Sequence, residues 1–168
     1  INKHTPKRVV IHKTTDFWDS IVNEEYDEVN GLIDGIYEEL GDSTEYDLVT
    51  IKSSKIKLLR NGDYPVMRGT GLKVNDEKAI LYTNGYIPYY DTYPGSYVPV
   101  PLSVESIGET PIKEICKEIM ALTKMNFNNS DYCDGLPITL QFSKKVGEII
   151  QYFPSDLTNP PNKYYYYM

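Results

Sequence analysis

The chain has 168 residues, a formal net charge of −7, two cysteines and two histidines. That length supports one domain with a buried core. An apolar share of 40% is that of a folded chain rather than a disordered one. No apolar run approaches the roughly 20 residues that span a bilayer, and residues 1–12 hold no secretory signal.

Cys116 and Cys133 are too few for a disulfide framework and read as small apolar residues in a reducing cytoplasm. The chain opens on Ile1, so residues 1–168 are expected to be a piece of something longer. The charge is uneven. Residues 16–47 hold 12 of the 24 acids and no Lys or Arg, leaving 12 acids against all 17 bases elsewhere. Local fields govern binding. The average therefore hides a mildly basic remainder behind one acidic helix face turned to solvent.

In chain order, residues 8–12 (RVVIH) are short, apolar and β-branched, which predicts a buried strand. A helix follows, with Asp16 as its N-cap and acids crowding its first turns, where the helix dipole favours them. Val22, Tyr26, Val29, Ile33, Ile36 and Leu40 recur in steps of four and three and form its apolar face. Gly41 and Asp42 end it.

Residues 46–51 (YDLVTI) predict the next strand and 55–60 a further one, before a tight turn at Asn61-Gly62. Residues 79–83 (AILYT) predict another. Residues 84–101, with four prolines and five tyrosines, read as loop, leading to a short strand at 102–104. Thr110-Pro111 signals a helix start, with the Thr110 hydroxyl as cap and Pro111 at the first helical position, and Ile112, Ile115, Cys116, Ile119 and Leu122 make its buried stripe. Residues 126–135 are polar and turn-rich. Residues 137–140 lead to a last helix with Phe142, Val146, Ile149 and Phe153 inward and Pro154 as its stop. Strands covered by helices, without an internal repeat or domain boundary, are α/β.

No active site declares itself. His4 lies in a polar stretch and His12 in a strand, where it reads as structural rather than as a base. Two cysteines do not form a zinc site, and Gly69 and Gly71 around Thr70 are a lone, weak G-x-G.

Eight segments together say more: RVVIHK at 8–13, DLV at 47–49, YPVMRGT at 64–70, LYTNGYIP at 81–88, YPG at 93–95, VPVPL at 98–102, EIMALTKMN at 118–126 and LPITL at 136–140. In order and spacing they resemble prokaryotic Argonaute PIWI domains, and the resemblance covers almost the whole chain. It implies the second half of an RNase H-like fold, a mixed sheet flanked by helices, with the first strands upstream.

Active PIWI domains hold two divalent ions with carboxylates, three acids plus a fourth Asp or His. The resemblance places one such position at Thr14, after RVVIHK, and another at Lys144, after LPITL, between Ser143 and Lys145. Threonine is a poor ligand and an ammonium repels Mg²⁺. The resemblance therefore implies a catalytically inactive type, not an enzyme, that binds a guide RNA or DNA and its complementary target in prokaryotic defence.

Partners would be the upstream MID and PIWI half and an associated effector protein, with no membrane. The terminal carboxylate of Met168 would lie near the guide 5′ end, where Mg²⁺ bridges carboxylate and phosphate. Arg68, Lys124, Lys144 and Lys145 are the candidate phosphate contacts, assisted by Asn126 and Asn128. The tyrosines of residues 86–97 either stack on bases or pack against the sheet edge. Two other readings stay open: an active guided endonuclease completed by upstream residues, and an α/β interaction scaffold using the acidic helix.

Overall fold

The computed structural model describes residues 5–19, 27–93, 98–126 and 132–154. Its sheet has five strands: β1 (Arg8–Lys13), β2 (Glu45–Ser53), β3 (Gly71–Lys73), β4 (Lys78–Leu81) and β5 (Leu102–Gly108). The order is β1-β2-β5-β4-β3. β1 and β2 are parallel and the other neighbours antiparallel, so the sheet is mixed. Three α-helices among the described residues flank it: α1 (Glu28–Leu40), α2 (Ile112–Leu122) and α3 (Ile138–Ile150).

β2 explains the layering. Its residues Asp47 to Ile51 are all buried, as expected of a strand covered on both faces. Side chains alternate across a strand. Leu48 meets Phe17 and Val29 of the α1 layer. Val49 and Ile51 meet Val104 of β5, Ile112, Ile115 and Ile119 of α2, and Leu140 of α3. The α2 stripe is buried as its spacing predicts, with Cys116 and Leu122 half-buried beside it.

The acidic helix starts later than the sequence indicates. Asp16 is not its cap. Asp27 is, accepting the Asn30 backbone N–H at 2.9 Å, while Asp16 pairs with Lys52. Val22 and Tyr26 lie outside the described residues. The window is also not wholly solvated. Asp47 is fully buried, bound by Arg8 Nε at 2.6 Å, the Thr110 hydroxyl at 2.8 Å and the Thr110 N–H at 3.2 Å. Arg8 reaches on to Glu118 of α2 at 2.6 Å, so one guanidinium joins β1, β2 and α2.

Thr110 consequently does not cap α2. Its hydroxyl serves Asp47, and Pro111 takes the cap position. β1 is half-buried rather than buried, because within the described sheet it is an edge strand. Residues 55–60 form no strand; the Leu58 N–H donates instead to the Tyr82 hydroxyl at 2.8 Å. β3 was not anticipated, and β5 runs longer than 102–104. α3 ends at Ile150 in turns closed by the N–H groups of Tyr152 and Phe153, ahead of Pro154, and Phe142, Val146, Ile149 and Phe153 are only half-buried.

Candidate nucleic-acid interface

The structure sorts the candidate residues into two places. The first is a cleft of about 420 Å³ at the C-terminal end of α2, lined by Arg68, Tyr86, Pro88, Met120, Lys124 and Tyr132 among others. Backbone pairing builds one wall. The Tyr86 N–H donates to Val66 O and the Arg68 N–H to Tyr86 O, both at 3.0 Å. Gly85 lies so near that a Cβ there would sit 2.2 Å from Val66 O.

This pairing points the Arg68 guanidinium at the end of α2. It donates to Thr123 Oγ1 at 2.8 Å, to Met120 O at 3.4 Å and to the Thr83 carbonyl. A cation on the last helical carbonyls complements their negative dipole end. Arg68 is therefore first a clamp, whose charge also borders the cleft. Lys124, just past the Thr123 C-cap of α2, is exposed and holds its ammonium 5.0 Å from the Tyr132 ring centroid and 3.4 Å from the Tyr132 hydroxyl. Tyr132 meets Tyr90 edge-on at 5.3 Å.

Other members of the 86–93 loop pack as well. Tyr86 stacks on Tyr64 at 4.5 Å, with Arg60 4.8 Å over its ring, whereas Tyr89 is 87% exposed. The sequence reading missed Tyr132 and Arg60. Tyr132 sits in a polar, turn-rich stretch, and nothing in the sequence pairs it with Lys124. Asn126 donates to Gln141 Oε1 at 3.2 Å, tying the segment after α2 to α3, and Asn128 lies outside the described residues.

The second place is where α3 meets β1. His12 Nδ1 is 2.8 Å from the Thr139 hydroxyl. Thr14 is exposed just past the end of β1, and Lys144 and Lys145 are exposed on α3 without an ion pair among the described residues. Beside Thr14, Lys13 binds both oxygens of Glu28 at 2.5 and 2.6 Å. That hydrogen bond holds the Glu28 carboxyl below the usual carboxylate range. No group of three His, Cys, Asp or Glu is placed to share a metal ion among the described residues. Met168 lies outside them, and with it the expected Mg²⁺ position. Both cysteines are free thiols, and burial pushes the Cys116 thiol up to about 11. No described helix is long and apolar enough to cross a membrane.

Burial lowers the His12 imidazole below its ordinary 6.5, partly opposed by the charge of Glu118. The unfolded chain thus binds the proton more readily. Stability from this site is whole above about pH 6.5 and falls as pH drops through that value toward the lower folded pKa. Urea unfolding at about pH 7 and pH 5 should show the parent losing more than a His12→Gln variant; equal losses would contradict the assignment.

No family model matches the chain. Over 103 residues, 61% of its length, it is 26% identical to the protein argonaute of Aquifex aeolicus, of which it spans 13%. Clostridium butyricum Argonaute, solved with a guide DNA and a 19-mer target DNA, superposes with a TM-score of 0.65 at 22% identity, over 92% of this chain and 19% of that one. Aquifex aeolicus Argonaute with externally bound siRNA gives 0.64 at 21% identity, over 96% and 20%. Marinitoga piezophila Argonaute with 5′-OH guide RNA and target DNA gives 0.60 at 17% identity, over 97% and 21%. The mixed sheet and its helices match the PIWI-domain part of such Argonautes across most of the chain.

Proposed function

We propose that this chain is the second half of a PIWI domain that binds a guide strand and its target in prokaryotic defence and does not cut the target. The observation that carries the reading is the meeting of Arg68, Lys124, Tyr86 and Tyr132 in one cleft, within a fold whose solved neighbours include Argonautes holding guide and target strands. Lysine supplies phosphate attraction and the exposed Tyr132 a ring for a base, while Tyr86, already stacked on Tyr64, forms the wall. The lysine and the exposed ring both serve a single strand without reading its sequence.

The absence of cleavage rests on side-chain chemistry. Thr14 offers a neutral hydroxyl where active relatives carry a carboxylate, and the nearest acid in sequence, Asp16, is paired with Lys52. Lys144 offers a positive charge. A divalent cation at the guide 5′ phosphate completes the proposal.

Lys124→Gln tests the cleft. In salt titrations of single-strand binding, the slope of log affinity against log salt should fall by about 0.7, the value for one lost phosphate contact. The same complexes should leave a labelled complementary target intact in Mg²⁺. An unchanged slope would remove Lys124 from the interface, and a cut target would overturn the inactive reading.

A further inference from the structure

β3 is the last strand of the described sheet, pairing only with β4, and all three of its residues are exposed. The ladder shows which of its backbone groups are free. The Val74 N–H donates to Lys78 O and the Tyr82 N–H to Thr70 O, both at 2.9 Å. Pairs alternate along an antiparallel ladder, so Leu72 faces Ile80 while Gly71 and Lys73 turn their N–H and C=O groups outward. Such an edge is a template for another strand.

Behind the edge lies an apolar groove of about 550 Å³. Ala79 and Leu81 form its floor, and Ile112, Cys116 and Met120 of α2 form its wall. Gly71 leaves it open, since a Cβ there would meet nothing closer than Ile80 O at 3.7 Å and Leu81 Cδ1 at 3.9 Å. Lys73, Lys113 and Lys117 ring the groove. Asp76 pairs with Lys73 and Glu114 with Lys117, whereas Lys113 has no ion pair among the described residues. The rim is therefore net positive.

We propose that the β3 edge takes an extended segment of a partner protein whose groove-facing side, every second residue, is apolar in the middle and acidic at both ends. Strand addition joins its backbone to the outward groups of Gly71 and Lys73. Its groove-facing residues recur every second position: the central ones are apolar and enter the groove, and the acids at either end of the same face meet the lysine rim. A second copy of this chain fits less well, because it would bring its own three lysines to the contact. A nucleic acid has no apolar side chains for the groove. This site is separate from the cleft at the end of α2, and its failure would leave the guide-binding reading untouched.

The test is fluorescence-anisotropy binding to the full chain of a labelled short peptide, Glu-Thr-Val-Thr-Val-Thr-Glu, which puts its valines and both glutamates on one face. An N-methylated version of the peptide, unable to pair along the strand, is the comparison. Lys73→Pro deletes one outward N–H and none of the bonds to β4, and Lys113→Glu reverses the unpaired charge. The parent should bind the plain peptide, and each variant about fivefold or more weakly, the scale of one to two lost hydrogen bonds. Thermal melting confirms that Lys73→Pro is folded; should it not be, Lys113→Glu and the N-methylated peptide still decide. Equal binding of both peptides, or variants that bind like the parent, would overturn the proposal. Self-association that Lys73→Pro abolishes would assign the edge to a second copy and overturn it equally.

Discussion

Replacing Asp47 with alanine is expected to cost about 3–5 kcal/mol, the usual result of removing one partner of a buried ion pair. Asp47 is fully buried and answers three groups at once: the Arg8 guanidinium, the Thr110 hydroxyl and the Thr110 N–H. Without it, an arginine on β1 and the turn into α2 lose their shared acceptor. Arg8 keeps Glu118, which is partly exposed, so the substitution leaves that outer pair and removes the inner one. For a chain of this size the melting temperature should fall by about 10 °C. A drop of only about 1 kcal/mol, typical of a surface pair, would show that Asp47 is not the joint between β1, β2 and α2.

Gly85→Ala should cost about 3 kcal/mol, at the upper end of what overpacking usually costs. Its Cβ would lie 2.2 Å from Val66 O, 2.8 Å from Arg68 N and 3.0 Å from Met67 C. All three are backbone atoms held by the bonds between segments 66–68 and 85–87, so none moves without breaking the wall of the cleft. The substitution should therefore lower both the melting temperature and single-strand affinity, the latter even well below the melt. Gly71→Ala is the control, since its Cβ meets only ordinary van der Waals contacts. Equal melting of the two variants would contradict the packing at Gly85.

Much of the fold was legible because its period is local. β2 follows from YDLVTI and α2 from the four-and-three spacing of its isoleucines. What misled was polar chemistry with a distant partner. Asp16 and Thr110 look like helix caps, yet Lys52 claims the first and Asp47 the second. β3, only three residues with a glycine, carries no apolar pattern and exists because β4 offers it a ladder.

The interface was legible in parts. Arg68 and Lys124 were identifiable as cations within motif-like segments. Their meeting in one cleft depends on the packing of α2 against the 66–68 segment, which spacing does not reveal. The Lys124–Tyr132 pair was invisible for the same reason. Lys144 and Lys145, candidates on the same grounds, are instead on α3, the helix that meets β1 through Thr139 and His12.

The central claim is guide binding, and one comparison tests it most directly. Fluorescence anisotropy would compare short single strands ending in 5′ phosphate or 5′ hydroxyl, with Mg²⁺ and with chelator, on the longest protein that carries this chain. The account predicts tighter binding of the phosphorylated strand and loss of that preference when the cation is removed. Equal, weak binding of both strands would contradict it and leave an α/β domain whose likeness to Argonautes does not extend to holding a guide.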